Sequence, residues 1–322
     1  MPELPEVETI ARRLDQCATG DVIESVWLGK KPEPLKSTAQ EIARVLEGSR
    51  IGGVRRVGKH IVFDLERNPV AQAAWSARSR KPRPARPGSK TRPAQASATT
   101  PGVAGKAHAE GGIRSSDTGA MQSKSQWIVH LGMTGRLQLC GPEDEVLQHT
   151  HAIVQLASGR ELRFVDPRRF GRLSVTRDAA FEAGGFEPLE VGLDRFTVLF
   201  RGRNTPIKSA LLNQKLLRGV GNIYADESLF RAGIRPRRRA ASITHEQLRR
   251  LFVSVKEVLQ EAIALGGSSI SDYVDADGAE GSFQFQHRVY GREGEPCLVC
   301  KTPIKRVVIA GRSSHYCRKC QK

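Results

Sequence analysis

Four cysteines near the C-terminal end limit most tightly how this chain can fold. They form two Cys-x2-Cys pairs, Cys297 with Cys300 and Cys317 with Cys320, and sixteen residues separate the pairs. Two such knuckles joined by a hairpin bring four thiolates into the tetrahedral arrangement that Zn²⁺ prefers. Because protein would supply all four ligands, the sequence predicts one structural zinc ion. Reduced buried cysteines or disulfides are the alternative.

The charge of the chain favours a polyanionic partner. The formal net charge is +17 and the isoelectric point is about 10.1. Residues 69–125 carry ten Lys or Arg against two Asp or Glu, and the rest of the chain carries about +9. Cationic side chains bind nucleic acid by releasing counterions from phosphates. The charge therefore supports nucleic-acid binding but does not establish it.

The segment 69–125 differs in composition from its surroundings. It is rich in Pro, Ala, Ser, Gly and Arg and has almost no large apolar residues. Such a sequence buries too little apolar surface to offset its ordering entropy, so we expect a disordered insertion at a hairpin tip. It would act as a flexible spacer, or its basic residues would add weak DNA affinity.

Short apolar segments between Gly or Pro turns occupy most of the chain from Val22 to Val175. They are rich in Val, Ile and Leu, which is typical of strands, and a β-sandwich is the natural way to bury them. The predicted strands are Val54 to Leu65, Trp127 to Leu139, Ala152 to Leu156, Glu161 to Val165 and Arg172 to Val175. A helix that begins near Pro5 precedes them.

After about residue 186 the pattern becomes that of helices. The first is predicted over 205–218, with Thr205 as its N-cap, and the second begins at Asn222 and reaches Gly233. A capping box of Thr244 with Gln247 opens a third helix. Strands followed by helices and a cysteine-rich end predict a multi-domain α+β protein.

A glycine turn, Gly219-Val-Gly-Asn222, joins the first two of these helices. The unpaired N–H groups at the start of the second helix would form an anion site, and Lys208 could add a charge to it. An ordinary pair of core helices joined by a glycine turn is the alternative.

The N-terminus offers a nucleophile. If Met1 is removed, Pro2 presents a secondary amine, and α-amino groups titrate low enough to be partly neutral at physiological pH. Attack of this amine on a sugar C1′ would give an iminium ion that acidifies C2′ and drives strand elimination, with Glu3 as a candidate general acid. The simpler interpretation is a good helix start.

The chain has no apolar run long enough to span a bilayer and no signal-like N-terminal segment. We therefore expect a soluble cytosolic protein that has no membrane partner.

Five motifs resemble the bacterial formamidopyrimidine-DNA glycosylases. They are Met1-Pro-Glu-Leu-Pro-Glu-Val-Glu8, His130-Leu-Gly-Met-Thr-Gly135, Asp166-Pro-Arg-Arg-Phe-Gly171, Gly219-Val-Gly-Asn-Ile-Tyr-Ala-Asp226 and the two Cys-x2-Cys pairs. The resemblance spans essentially the whole chain except residues 69–125. The related endonuclease VIII enzymes, which favour oxidised pyrimidines, share several motifs. Leu4 and the intact set of Met133, Arg168 and Phe170 resemble the purine-directed branch.

The resemblance implies roles for four residues in the reaction. Pro2 would be the Schiff-base nucleophile and Glu3 the acid or base beside it. Lys59 would protonate or stabilise during β-elimination and contact phosphate, and Arg312 would grip the phosphate around the lesion. Without the resemblance, Lys59 would be interpreted as a solvated strand lysine.

It also implies a DNA-binding surface. Met133, Arg168 and Phe170 would fill the gap left by an extruded nucleotide, which offsets an unstacking cost of a few kcal/mol. The further DNA contacts implied are His149, Lys208, Asn222 and Tyr290. Residues 267–290 would form the loop that closes over the flipped base.

The domains implied are a catalytic β-sandwich with flanking helices over 1–186, a helix-two-turn-helix module over 187–292 and a four-cysteine zinc finger over 293–322. The implied activity is release of 8-oxoguanine and formamidopyrimidines, followed by β,δ-elimination at the abasic site. The partner would be double-stranded DNA with oxidised bases or abasic sites. We expect a monomer in the bacterial cytoplasm, at the nucleoid.

Two features depart from the family pattern. Asn204 stands where some members have a basic DNA-contacting residue, and the insertion has no counterpart. The rival hypotheses are an endonuclease VIII-like enzyme, a non-catalytic zinc-finger DNA-binding protein and a zinc-ribbon adaptor. The last two fit less well, because they would not need Pro2 next to Met1 and Glu3 beside it.

Overall fold

The computed structural model describes residues 2–67, 124–177, 180–270 and 273–322. Residues 69–123 of the predicted insertion lie outside the described residues. The predicted boundary at 125 is wrong by two residues, because Lys124 and Ser125 begin a strand that pairs with the preceding one. Their pairing partners, Glu66 and Leu65, hold them in the sheet.

Two four-stranded antiparallel sheets form the N-terminal part of the described chain. The strands are β1 (Ile23–Leu28), β2 (Ser49–Val57), β3 (His60–Arg67), β4 (Lys124–His130), β5 (Arg136–Cys140), β6 (Thr150–Leu156), β7 (Glu161–Val165) and β8 (Arg172–Arg177). One sheet has the order β1-β6-β7-β5 and the other β2-β3-β4-β8. Phe63, Trp127 and Phe164 are buried in one core with α1 (Leu4–Ala18), so the predicted β-sandwich is confirmed.

Two of the predicted strands are each two strands. The segment 54–65 turns back between β2 and β3 at Gly58 and Lys59, and the segment 127–139 is interrupted by the loop 131–135. Gly58 has a φ of +62°, a conformation that side chains with a Cβ rarely adopt. The reversal places Lys59 at the tip of a hairpin.

Helices dominate the described residues after 186. In addition to α1, the chain forms α2 (Ala39–Leu46), α3 (Leu193–Phe200), α4 (Ile207–Leu211), α5 (Asn222–Ala232) and α6 (His245–Ala264). The capping box of Thr244 and Gln247 is confirmed at the start of α6. The helices α2 and α3 were not predicted from the sequence.

The helix predicted over 205–218 is wrong in its length. Its N-cap is Pro206 rather than Thr205, and α4 ends at Leu211. The side chain of Asn213 accepts a hydrogen bond from the backbone N–H of Lys215, a local bond that competes with helix formation. Asn222 is the first residue of α5 rather than its cap, which is Gly221.

The C-terminal segment forms a hairpin of β9 (Lys305–Ile309) and β10 (Arg312–Tyr316) between the two cysteine pairs. Cys297, Cys317 and Ile304 are buried against Phe230 of α5 and Val289. The hairpin is therefore attached to the helical module. Among the described residues, no helix is both long and apolar enough to cross a membrane.

Candidate active site

A cavity of about 500 Å³ lies where α1, the β2–β3 hairpin, the start of α5 and the β9–β10 hairpin meet. It is lined by seven of the residues that the sequence predicted for catalysis or DNA binding: Pro2, Glu3, Lys59, Met133, Asn222, Tyr290 and Arg312. These residues come from positions up to 310 apart in the chain, so only the tertiary fold brings them together.

The glycine turn before α5 holds the N-terminal segment against the cavity. The Leu4 N–H donates to the carbonyl of Gly219 at 3.0 Å, and the Ile223 N–H donates to Glu3 Oε1 at 3.2 Å. A Cβ at position 221 would lie 2.0 Å from the carboxyl carbon of Glu3. A side chain at position 221 would therefore have to displace the Glu3 carboxyl, and the start of α5 meets a carboxylate of the same chain.

Burial has the largest effect on the pKa of the Glu3 carboxyl. It raises the pKa of the Glu3 carboxyl to about 7, although the positive charge of Lys59 acts in the opposite direction. A neighbouring carboxylate, that of Glu6, adds to the increase. Because this pKa is close to neutral, Glu3 can both donate and accept a proton at physiological pH.

Lys59 lies beside this carboxyl group and is itself buried. Burial lowers the pKa of the Lys59 ammonium, while Glu3 and Glu6 oppose the decrease and the cation of Arg312 adds to it. A lysine with a lowered pKa can act in proton transfer more readily than a solvated one. The structure thus contradicts the interpretation of Lys59 as an ordinary solvated lysine.

Glu6 is a residue of this site that sequence analysis missed. Its carboxylate accepts hydrogen bonds from the Glu3 N–H at 2.8 Å, from the Ser268 N–H at 2.8 Å and from the Tyr224 hydroxyl. It therefore ties the N-terminus to α5 and to the segment after α6. Its position three residues after Glu3, in a capping box, was the available signal.

Met133, Arg168 and Phe170 lie on two adjacent loops, and Met133 also lines the cavity. Met133 is 39% exposed and Phe170 47% exposed, and the Arg168 guanidinium lies 4.9 Å from the centre of the Phe170 ring. Exposed apolar side chains beside an arginine are free to enter a base stack.

Buried Asp166 joins these two loops, and sequence analysis gave it no role of its own. Its carboxylate accepts from Thr134 Oγ1 at 2.6 Å and from the Gly171 N–H at 2.7 Å. A Cβ at Gly132 would lie 2.5 Å from the backbone of Phe170, so the loops are in close contact. Asp166 and Gly132 therefore set the separation of Met133 and Phe170.

Lys208 does not occupy the position that the sequence predicted. Its side chain is fully buried, and its ammonium lies 2.6 Å from Asp226 Oδ1 and donates to the carbonyl of Ser313 at 2.7 Å. The same Asp226 accepts the N–H of His315 at 2.8 Å. A direct phosphate contact is therefore not available to Lys208 in this structure, where it joins α4 and α5 to β10.

Tyr290 lines the cavity, and its backbone is held by a carboxylate of α5. The buried carboxylate of Glu227 accepts three backbone N–H groups, those of Arg288, Val289 and Tyr290, at 2.8 to 3.0 Å. Burial raises the pKa of the Tyr290 hydroxyl. His149 is not at this site and lies in a second pocket on the sandwich surface.

The four predicted zinc ligands converge. All four sulfur atoms lie within 4.8 Å of one another, with Cys300 and Cys317 at 3.4 Å and Cys297 and Cys320 at 3.8 Å. A tetrahedral ZnS4 centre with bonds of about 2.3 Å has sulfur separations of about 3.8 Å. The donor set therefore fits a zinc ion.

The comparisons with known proteins agree with this geometry. Three family models match: the formamidopyrimidine-DNA glycosylase N-terminal domain over residues 1–79 and 110–173, its H2TH domain over 185–274, and the zinc finger found in FPG and IleRS over 294–322. The formamidopyrimidine-DNA glycosylase of Thermus thermophilus is 39% identical over 100% of this chain and 98% of its own. That of Gluconobacter oxydans is 36% identical over both complete chains.

This chain belongs to the formamidopyrimidine-DNA glycosylase family. A crystal structure of the Thermus thermophilus MutM (Fpg) protein matches with a TM-score of 0.73, 36% identity and coverage of 99% and 98% of the two chains. A Lactococcus lactis Fpg in complex with DNA that contains an abasic site matches with a TM-score of 0.76 and 27% identity over 99% of each chain. The family and the α+β fold predicted from the sequence are confirmed.

Proposed function

We propose that this protein is a bifunctional DNA glycosylase and abasic-site lyase of base excision repair that acts on oxidised purines. The observation that carries this proposal is the placement of Pro2, Glu3 and Lys59 in one cavity whose rim holds Met133 and Arg312. Structures of Lactococcus lactis Fpg with Fapy-dG DNA and with abasic-site DNA support the substrate class. Chromosomal DNA as substrate implies action in the cytoplasm, at the nucleoid.

The proposed reaction begins with the secondary amine of Pro2. Its nitrogen forms a bond to C1′ while the bond from C1′ to the damaged base breaks and the base leaves with a proton. Glu3 supplies or relays protons at this step, because its pKa of about 7 allows both states. The bond from C1′ to O4′ then breaks as O4′ takes a proton and the Pro2 nitrogen loses one, and the product is an iminium ion between Pro2 and the opened sugar.

Strand cleavage follows from the electron-withdrawing iminium ion. Loss of a proton from C2′ expels the 3′-phosphate, and a second elimination expels the 5′-phosphate, so a one-nucleotide gap remains. Lys59 lies next to Glu3, where it can move these protons. Arg312 of β10 lines the same cavity, and its guanidinium would stabilise the departing phosphates.

The DNA would be opened by the two loops at the rim. Met133 and Phe170, with Arg168 against the ring, would take the place of the extruded nucleotide and offset an unstacking cost of a few kcal/mol. Asn222 and Tyr290 would contact the flipped nucleotide from the other side of the cavity. Lys208 would contribute indirectly, by holding β10.

One structural zinc ion, held by the four cysteines, would fix the β9–β10 hairpin that carries Arg312. A hairpin of this size has too small a core to hold its shape unaided. The metal supplies a fixed crosslink between the two cysteine pairs, and the side chains of the hairpin contact the DNA.

Borohydride reduction tests the nucleophile. With a duplex that contains 8-oxoguanine, the wild-type protein should form a covalent adduct at its N-terminal proline, located by peptide mass spectrometry. A Pro2→Gly variant with an acetylated N-terminus should form none, and Lys59→Ala should still form it. Loss of the adduct in the lysine variant with persistence in the blocked proline variant would assign the nucleophile to Lys59 instead.

A second candidate function is the removal of oxidised pyrimidines. A structural relative at 27% identity, Lactococcus lactis Fpg, has been solved in complex with DNA containing an oxidised pyrimidine. A competition between an oxidised purine and an oxidised pyrimidine in one reaction decides the order of preference. Faster release of the pyrimidine would reverse the proposal made here.

A further inference from the structure

A second pocket, of about 380 Å³, opens on the surface of the β-sandwich. Its lining includes Trp27, Lys30, Lys31, His149 and Arg169. Trp27 is 46% exposed, which is unusual for the largest amphipathic side chain. Neither Lys30 nor Lys31 forms an ion pair with any residue that the structure describes. The pocket therefore combines a free aromatic face with two free cations.

The floor of this pocket is fixed to the loop that carries Arg168 and Phe170. The Gly29 N–H donates to the carbonyl of His151 at 2.9 Å. His151 is buried, and its Nε2 atom lies 2.9 Å from the carbonyl oxygen of Asp166. Two hydrogen-bond-length contacts through His151 thus connect the pocket to the rim loop.

The charges within the pocket are not equivalent. The guanidinium of Arg169 lies 2.8 Å from the carboxylate of Glu33, so most of its charge is compensated. Lys30 and Lys31 have no such partner among the described residues, and both are exposed. They are therefore the two lysines of the pocket that are available to bind an anionic ligand.

The position of the pocket indicates what fills it. Arg169 lies between Arg168 and Phe170 in the chain, and these two residues face the opened duplex in the proposed function. A duplex that continues past the lesion carries one negative charge per about 1.7 Å of its axis. Lysines beside an exposed aromatic ring are a usual surface for binding a nucleic-acid backbone.

We propose that Trp27, Lys30 and Lys31 bind the sugar–phosphate backbone of the same duplex, a few base pairs from the damaged nucleotide. The pocket extends the DNA-binding surface along the sandwich and away from the catalytic cavity. This inference rests on the proposed function, because it requires the duplex to be seated by the rim loops. Its contribution is to affinity and not to the chemical step.

The dependence of DNA affinity on salt tests this inference. The probe is a duplex with a central tetrahydrofuran abasic analogue, which the enzyme binds without cleaving. Lys30→Ala and Lys31→Ala should each reduce the slope of log K against log salt concentration by about 0.9. Lys36→Ala is the matched control, because Lys36 is an exposed lysine of the same segment that does not line the pocket. Slopes equal to the wild-type slope in both pocket variants would overturn the inference.

Duplex length locates the contact. Shortening the flank on one side of the abasic analogue should abolish the difference between Lys30→Ala and wild type, and shortening the other flank should preserve it. A difference that is independent of both flanks would contradict a backbone contact outside the lesion. If the wild-type protein does not bind the longest duplex at all, the proposed function fails rather than this inference.

Trp27 provides an independent readout. The difference in fluorescence between wild type and Trp27→Phe isolates this indole from Trp75 and from Trp127, which is buried. Binding of the abasic-analogue duplex should protect Trp27 from quenching by acrylamide. Unchanged quenching in the saturated complex would show that the DNA leaves the pocket open, as expected if it binds a different partner.

Discussion

The carboxyl group of Glu3 determines the pH dependence that we predict for base release. Burial raises its pKa to about 7, so the carboxyl is protonated below this pH. In the proposed reaction the amine of Pro2 must be neutral to attack, and α-amino groups lose their proton near pH 7.7 to 8.0. Single-turnover base release should therefore rise and then fall across neutral pH, and Glu3→Gln should remove the falling limb, because that limb reports loss of the carboxyl proton. An exposed carboxyl on β1, changed in Glu24→Gln, should leave both limbs in place.

The same shift has a consequence for stability. The folded pKa of Glu3 lies above its ordinary value of 4.5, so the folded state loses stability as the pH rises from about 4.5 to about 7. The loss is up to about 3 kcal/mol, since one pKa unit corresponds to about 1.4 kcal/mol. Glu3→Gln should therefore be more stable than wild type at pH 8 and nearly equal to it at pH 4.5.

A third prediction concerns Gly221, where alanine would add one methyl group. A Cβ at this position would lie 2.0 Å from the Glu3 carboxyl carbon, so Gly221→Ala must displace the carboxyl that the proposed reaction uses. A shift of about 1 Å can cost on the order of a hundredfold in rate. We expect a loss of this size in single-turnover base release. Gly184→Ala is the control, because its Cβ would meet no atom within 4 Å. Equal rates for the two variants would contradict the close packing.

Some residues of the site could be predicted from the sequence and others could not. Pro2 and Glu3 were found because a terminal amine next to a carboxyl has an evident chemistry. Asp166 was missed, and Lys208 was placed on the DNA, because their roles depend on burial and on partners far along the chain. Periodicity and motifs carry no information about such partners.

Among the elements, strands were predicted better than turns. The positions of β6, β7 and β8 follow from short apolar segments. The chain reversal at Gly58, between β2 and β3, was not predicted from the composition. The helix α2 had a signal that was not used, since Thr38 caps it by accepting from the Glu41 N–H. The early end of α4 could not be predicted, because a side-chain bond at Asn213 competes with the helix there.

The zinc finger can be tested by replacing the sulfur atom of one cysteine with oxygen. Cys317→Ser should weaken DNA binding and lower the thermal midpoint, because the tetrahedral set loses a ligand and the hairpin carrying Arg312 loses its crosslink. The measurements are zinc content, unfolding temperature and affinity for the abasic-analogue duplex. Cys140→Ser is the control, since Cys140 lies outside the cluster. Full DNA affinity in Cys317→Ser with no bound zinc would refute the structural role.

At the scale of the whole molecule, the sandwich and the helical module are joined by buried charges as well as by apolar contacts. Arg56 of β2 lies 2.6 Å from Glu8 of α1 and 2.8 Å from Glu187, which follows the last strand of the sandwich. Arg218, in the turn before α5, approaches the same Glu187 at 3.3 Å. This network connects α1 and β2 of the sandwich to the turn before α5. The sequence offers no means of pairing residues so far apart.

Arg56 therefore allows a prediction about the molecule as a unit. Its side chain is only 7% exposed, so Arg56→Met would remove the cation that Glu8 and Glu187 share and leave them only Arg12 and Arg218 as partners. Loss of one partner from a buried ion pair costs about 3 to 5 kcal/mol, whereas an exposed pair contributes about 1 kcal/mol or less. Its neighbour Arg55 is 44% exposed and pairs with Asp64 on the solvent side of the same strand, which makes Arg55→Met the matched control.

Unfolding in urea distinguishes the two positions. The midpoint should fall markedly for Arg56→Met and change little for Arg55→Met, although both variants lose the same charge from adjacent positions of β2. Base release by Arg56→Met should also slow down under conditions where the protein is still folded, because α1 and β2 lose a connection to Glu187. If the two midpoints fall equally, the charge itself matters and its burial does not, and the junction must then be held by the apolar core alone.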